Sequence, residues 1–516
     1  MTEFIDLPVE LLPVILSFIP NPRSLTHTCL VNKVFYQFAV PRLYERISIY
    51  SWQKHGKERV IQLFICLSEN PHVATYVRRL EIRDFPKSLP TVDGNTLDPT
   101  DIIVRALKNC THLRSCTWTR DGSLNSEILQ GLKEHSKELE ELEINGHNEG
   151  NYGANVLLGF EGLRKVGLIM PGAEVVRNLS PWFGQIGSSL RHLTLICKLS
   201  SLITDTLLER LAPDMRHLDY FYLTGCPKVT ERGITSVLSQ NETGIVGLGL
   251  EGLSPKFNMA EFRSSCEHYS FFKRLRTLTL TIHQQVPLDE WTRQVISILS
   301  PAPSDCGSIP VPVLNLPPIP LESFQIYSTG AFFESSSITN QFWFNLVDAH
   351  HGWLKRISVH RMLISLEAIE EICRRCRELE ELFVVVEPGT LHQLASRCLS
   401  IAPKLRTVHV NYPLEAQASS PTQSQSQTDA DRHPTVADED TDTIDSEFLP
   451  VLSPQDALAV VQRCPPTLTQ FGCNTRVWMI NKQVEINEQG NPVGIRRELA
   501  RYDSPDIPEA FLVVRT

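Results

Sequence analysis

The stretch "LDYFYLTGCPKVTERGITSVL", residues 218–238, opens with apolar residues at its first, fourth and sixth places, Leu218, Phe221 and Leu223. The same pattern recurs as "VRRLEI" (77–82), "LRSCTW" (113–118), "LEELEI" (139–144), "LRKVGL" (163–168) and "LRHLTL" (190–195). It continues as "IVGLGL" (245–250), "LRTLTL" (275–280), "LESFQI" (321–326), "LKRISV" (354–359), "LEELFV" (379–384), "LRTVHV" (405–410) and "LTQFGC" (468–473), thirteen copies in all. From the second copy to the eighth the starts lie 26, 24, 27, 28, 27 and 30 residues apart. A period of this length marks a stacked-repeat architecture.

Between the strand-like copies lie segments with apolar residues three and four apart, such as "DIIVRALKNC" (101–110), "SEILQGLKEH" (126–135), "TDTLLERLAP" (204–213) and "LEAIEEICRRC" (366–376). That spacing predicts helices. A single strand–turn–helix unit cannot bury both of its apolar faces, so the units must stack in register. The expected class is α/β: a curved parallel sheet inside, helices outside. These copies resemble the leucine-rich repeat family over about residues 77–474, and residues 218–238, with their "LTGC" and "VTERG" elements, are similar to its cysteine-containing subtype.

Two stretches break the period. Residues 300–320, "SPAPSDCGSIPVPVLNLPPIP", are too proline-rich to continue a helix and are expected to form an extended loop. Residues 413–447 are rich in Ser, Gln, Thr and Asp and cannot bury enough apolar surface to order themselves. The expected organisation is therefore an N-terminal segment 1–48 and a repeat array 49–412 with the loop 300–320 inside it. An acidic Ser/Gln-rich insertion follows at 413–450, then a last repeat and cap at 451–516.

The first residues, "LPVELLPVILSFIPNPRSLTHTCLVNKVFYQFAVPRLYERI" (7–47), stand outside the repeat. They lack the basic start of a secretion signal, and Glu10, Pro20 and Pro22 leave them short of the roughly 20 apolar residues of a membrane span. Pro8 and Glu10 suit a helix start, Pro20 and Pro22 its end, and two short helices are expected around 23–30 and 31–39. So small a unit cannot turn all its apolar side chains inward. Leu7-Pro8, Glu10-Leu11-Leu12, Ile15-Leu16, Leu25, Leu30-Val31-Asn32, Phe35 and Pro41 with Leu43-Tyr44 resemble an F-box. The resemblance implies docking to a Skp-type adaptor, and through it to cullin and RING subunits of a ubiquitin ligase. In that reading Leu7, Pro8, Leu11, Leu12, Ile15 and Leu16 make the adaptor contact. The C-terminal "GIRRELARYDSPDIPEAFLVVRT" (494–516) is similar to the ends of fungal, particularly basidiomycete, F-box repeat proteins.

The remaining features narrow the function. Of the net charge of −10, −7 lies in residues 429–447, which leaves no basic stripe for nucleic acid. The 13 cysteines are scattered singly in apolar segments, as expected of reduced thiols in the cytosol or nucleus. Cys373 and Cys376 form a CxxC without a second pair, so no metal is expected there, and Cys376, Cys110 and Cys464 are each expected to be buried at a helix end. "HH" at 350–351 is expected on the surface. No catalytic constellation and no cofactor motif is present, and no membrane partner is expected. If the sheet lines an arc, alternate strand residues face its cavity. Tyr220, Tyr222, Tyr327, Arg356, His360, Phe383 and His409 are then the candidate target-binding residues, on a wall that also carries Glu141, Glu143 and Lys165. The expected function is a non-catalytic substrate receptor of a Skp–cullin–F-box ligase that sends an unidentified protein to degradation; the alternative is a non-degradative binding scaffold with the same adaptor contact.

Overall fold

The computed structural model describes residues 8–19, 21–50, 55–86, 99–197, 200–269, 271–300, 319–332, 336–413, 452–487 and 492–502. Leu7, most of the proline-rich stretch (301–318), nearly all of the acidic insertion (414–451) and residues 503–516 lie outside them. The chain divides into two compact units, one built from the described residues of 1–281 and 291–321, the other from those of 282–290 and 322–502.

Each of the thirteen copies is a strand. In the first unit they are β2 (Arg79–Ile82), β3 (Ser115–Trp118), β4 (Glu141–Asn145), β5 (Lys165–Ile169), β6 (His192–Ile196), β7 (Tyr220–Thr224), β8 (Gly247–Glu251) and β9 (Thr277–Ile282). An additional strand, β1 (Arg46–Ile49), precedes them and pairs in parallel with β2. Strand order follows chain order from β1 to β9, and every pair is parallel. The second unit holds β10 (Ser323–Phe332), β11 (Arg356–Leu363), β12 (Glu381–Val385), β13 (Thr407–Asn411) and β14 (Gln470–Cys473), again parallel and in order. It ends on two strands outside the repeat pattern, β15 (Arg476–Ile486) and β16 (Pro492–Arg501), an antiparallel hairpin added to β14.

The repeated apolar residue explains the stacking. Val77, Leu113, Leu139, Leu163, Leu190, Leu218, Ile245, Leu275, Leu321, Leu354, Leu379, Leu405 and Leu468, the first residues of the thirteen copies, are all buried. Just past each of them the backbone forms a ladder, with Glu140 N–H donating to Arg114 C=O at 2.9 Å, Arg164 to Glu140 at 2.7 Å and Arg191 to Arg164 at 2.8 Å. Strands thus satisfy their backbone groups only through their neighbours, which is why one unit alone would not fold.

Helix starts are set by local capping. Asn125, Thr204, Thr230, Ser365 and Ser453 each accept a backbone N–H of the first helical turn. One start also ties neighbouring repeats together: Asp205 Oδ1 accepts Thr230 N–H at 2.7 Å and Gly233 N–H at 3.2 Å, while its Oδ2 accepts the Thr230 hydroxyl at 2.7 Å. Three bonds to a carboxylate make this a strong joint between the helices Asp205–Leu211 and Glu231–Gln240. Asp205→Ala is expected to lower the stability of the first unit by about 2 kcal/mol. A urea midpoint unchanged from wild type would refute this assignment.

Candidate docking surfaces

The N-terminal helices are α1 (Leu12–Ser17), α2 (Pro22–Cys29) and α3 (Lys33–Glu45), with a single 3-10 turn, Val9–Leu11, ahead of α1. Pro13 sits in the first turn of α1, and Pro22 opens α2 instead of merely ending α1, with the Asn21 carboxamide accepting Arg23 N–H at 2.8 Å. Asn32 caps α3 in the same way through Phe35 N–H at 2.9 Å, and α3 runs through Pro41 to Glu45, longer than its apolar spacing implied.

Both α1 and α2 pack on α3. This packing sorts the apolar residues into two sets. Leu12 and Leu16, one helical turn apart, are buried with Leu25, Ala39 and Val40. Of the expected adaptor set, Leu12 and Leu16 hold the helices together and offer little free surface. Pro8 and Leu11 are exposed, Ile15 is half-buried, and Leu7 lies outside the described residues. The open face carries residues outside that set: Val9, Val14, Phe18, Leu30, Val31, Val34 and Tyr36, with Phe18 79% and Leu30 80% exposed. Together with Leu11 they are eight of the seventeen large apolar residues exposed among the described residues, and all eight fall between positions 9 and 36. Helical spacing places positions 11, 14 and 18 opposite 12 and 16, but a run apolar on every side does not say which of the two faces stays open. So many exposed apolar residues within one short segment make it the candidate docking surface.

The seven candidate target-binding residues fall in two groups. On the first unit Tyr220 and Tyr222 project from β7, half-buried, with ring centroids 6.3 Å apart, and His192 of β6 meets Tyr220 edge-on at 4.4 Å. The next strand leaves room for the rings. Gly247 and Gly249 stand opposite Tyr220 and Tyr222 in register, and a Cβ at either glycine would collide with a tyrosine ring. The two rings therefore lie over β8, where both stay half-buried. Burial, then the nearby Lys165, holds the His192 imidazole below the usual histidine range. Elsewhere on this face Arg46 pairs with Glu81 at 2.8 Å and Arg83 with Glu143 at 3.3 Å, and Ser115 donates to Glu141 at 2.9 Å.

On the second unit the expectation of exposed side chains is corrected. Tyr327 and His360 are register partners stacked at 4.5 Å with an 8° interplanar angle, and both are buried. Phe383 and His409 stack at 6.0 Å and are 2% and 1% exposed. Gly472, opposite His409, gives that ring its seat. His409 Nε2 donates to the carbonyl of Asn474 at 2.9 Å. Arg356 pairs with Glu381 at 3.4 Å and lays its guanidinium over the Phe383 ring at 5.2 Å. Large rings on neighbouring strands about 4.8 Å apart pack on one another rather than standing free. Burial pushes His360 down to about 3, with His409, Arg356 and Arg361 adding to it, and pushes His409 down to about 4 against its bonds to Asn474 and Asn411.

The remaining expectations resolve by position. Cys110, Cys373, Cys376 and Cys464 are buried at helix ends, and burial raises the thiols of Cys110, Cys376 and Cys464 to about 12. Of the two adjacent histidines His351 is exposed, but His350 is buried, contrary to expectation. Among the described residues no group of three or more His, Cys, Asp or Glu could hold a metal ion. No helix among them is long and apolar enough to cross a membrane.

Comparison with known proteins identifies the N-terminal portion. Residues 4–85 match the family model described as the COS11 F-box domain, so an F-box domain spans α1 to α3 and continues through β1 and β2. No curated protein matches the chain. Among solved structures the chain is similar to a complex of Rad7 and Elc1 in yeast, at 14% identity over 75% of this chain and 94% of that one, with a TM-score of 0.39. It is also similar to the leucine-rich repeat-containing protein LegL7 from Legionella pneumophila, at 10% identity over 65% and 90%, TM-score 0.37. An internalin from Listeria monocytogenes aligns at 12% identity over 70% and 84%, TM-score 0.29.

Proposed function

We propose that this chain is the receptor subunit of a Skp–cullin–RING ubiquitin ligase: the F-box domain binds a Skp-type adaptor, and the repeats bind a protein to be ubiquitinated and degraded. The observation that carries the reading is the concentration of exposed apolar residues between positions 9 and 36, within the segment that matches an F-box domain model. The chain's contribution is proximity, since one molecule holding both partners raises the target lysine's effective concentration at the charged ubiquitin carrier. It needs no catalytic residue and no cofactor. The many buried free thiols suit work in the reducing cytosol or nucleus.

For the target side, Tyr220 and Tyr222 are the residues we assign, because they are half-buried where Tyr327, His360, Phe383 and His409 are buried. Arg356 remains a candidate at the margin of the packed group. Affinity purification with the proteasome inhibited, followed by mass spectrometry, should recover adaptor, cullin and ubiquitinated target together. Tyr220→Ala with Tyr222→Ala should keep the adaptor and weaken the target about thirtyfold, the effect of losing one hot spot of about 2 kcal/mol. Recovery of every target at wild-type level from a folded double variant would place target binding elsewhere. Bound proteins whose cellular levels ignore loss of the chain would favour the non-degradative scaffold.

A further inference from the structure

We propose that the C-terminal hairpin joins two copies of this chain, by antiparallel pairing of β16 with β16 of the second copy. The hairpin reaches well beyond the sheet it extends: β14 pairs only with Arg476–Met479, while β15 and β16 stay paired as far as Ile486 and Pro492. A two-stranded ribbon is marginal in water without a cover. The helix Pro454–Arg463 packs against β16, yet the ribbon still exposes Val484, Ile486, Val493 and Ile495, the second concentration of open apolar surface among the described residues. β16 ends the strand order, so no described strand pairs with its outer edge. Such an edge is a template for another strand.

The sequence of β16 specifies itself as the partner. With a two-fold axis at Arg497, Arg496 of one copy faces Glu498 of the other, twice, and Ile495 faces Leu499, twice. Moving the axis one residue either way puts Arg496 opposite Arg496 or Glu498 opposite Glu498, so like charges reject both neighbouring registers. Within each hairpin Val484 already faces Ile495 and Ile480 faces Leu499. The joined sheet would therefore carry two unbroken apolar rows on one side: Val484, Ile495, and then Leu499 and Ile480 of the second copy. On the other side Arg496 and Glu498, 3.3 Å apart within one copy, become an alternating cluster of four charges. The proposed register also sets Arg497 opposite Arg497, but each of these guanidinium groups is drawn off the axis, donating to the carbonyls of Gln462 at 2.7 Å and Cys464 at 2.9 Å at the end of the helix Pro454–Arg463. An interface that uses the same patch on both copies closes on itself as a dimer.

Sedimentation equilibrium of the full chain over a concentration series tests this directly. Wild type should approach twice the chain mass. Glu498→Arg alone and Arg496→Glu alone should each weaken association about tenfold, because each creates two like-charge contacts by symmetry. The double exchange, Arg496→Glu with Glu498→Arg, should restore it. Hydrogen–deuterium exchange on wild type gives a reading that does not depend on how the variants fold: protection should rise with concentration in residues 492–501. A wild-type chain that stays monomeric up to its solubility limit overturns the proposal, as does concentration-dependent protection confined elsewhere. A double exchange that folds but fails to re-associate also overturns it.

Discussion

Leu11→Asp combined with Val14→Asp should abolish co-purification of the Skp-type adaptor while leaving the far-ultraviolet spectrum and thermal transition of the chain unchanged. Both residues are largely open, 43% and 56% exposed, so the charged side chains cost the isolated chain little. Against a partner's apolar surface each carboxylate would be buried unpaired, at a cost of several kcal/mol. Two such penalties exceed a loss of about a thousandfold in affinity. Leu16→Asp makes the necessary contrast. Leu16 is 2% exposed in the packing of α1 on α3, and a charge there should unfold the N-terminal helices and remove adaptor binding by a different route. Normal adaptor recovery by the Leu11/Val14 double variant would refute the docking surface, whatever Leu16→Asp does.

That contrast also marks where the sequence was legible. The repeat could be read because a buried leucine, valine or isoleucine opens every copy and the backbone ladder forces the copies into one register. β1 escaped the same reading because Tyr44 stands where the leading aliphatic residue would be, and because Arg46–Ile49 overlaps the stretch read as an F-box. The hairpin escaped because its contacts are cross-strand pairs such as Val484 with Ile495, which no repeat period encodes. The sides of α1 were harder to read than its existence. A run in which nearly every residue is apolar has no polar face, so only the packing on α3 shows which leucines are spent on the fold. Ring size misled in the second unit for a related reason. His360 and Phe383 are candidates for free-standing hot spots from the sequence, yet each has an aromatic or imidazole neighbour one strand away and stacks on it.

Those stacked histidines give the second unit an acid sensitivity that can be measured. His360 and His409 are held down to about 3 and about 4, chiefly by burial, whereas in the unfolded chain a histidine titrates near 6.5. Above that value both states carry neutral rings and stability does not depend on these groups. As pH falls below it the unfolded chain takes up protons that the folded chain refuses, so stability is lost progressively from about 6.5 down to the folded-state values. Each histidine contributes a slope of about 1.4 kcal/mol per pH unit within that window. Between pH 7.5 and 5 the two together should cost the second unit roughly 4 kcal/mol. His192 in the first unit is shifted in the same direction and should act with the same sign there. Urea unfolding between pH 7.5 and 5, followed by hydrogen exchange in β10–β14, reads the effect on the second unit itself. His360→Phe keeps a flat ring against Tyr327 but cannot take up a proton, so it should remove about half of the slope while leaving stability near neutral pH close to wild type. A wild-type curve that is flat down to pH 5, or a His360→Phe variant with an undiminished slope, would show that these rings are reached by water or change protonation together with the fold intact.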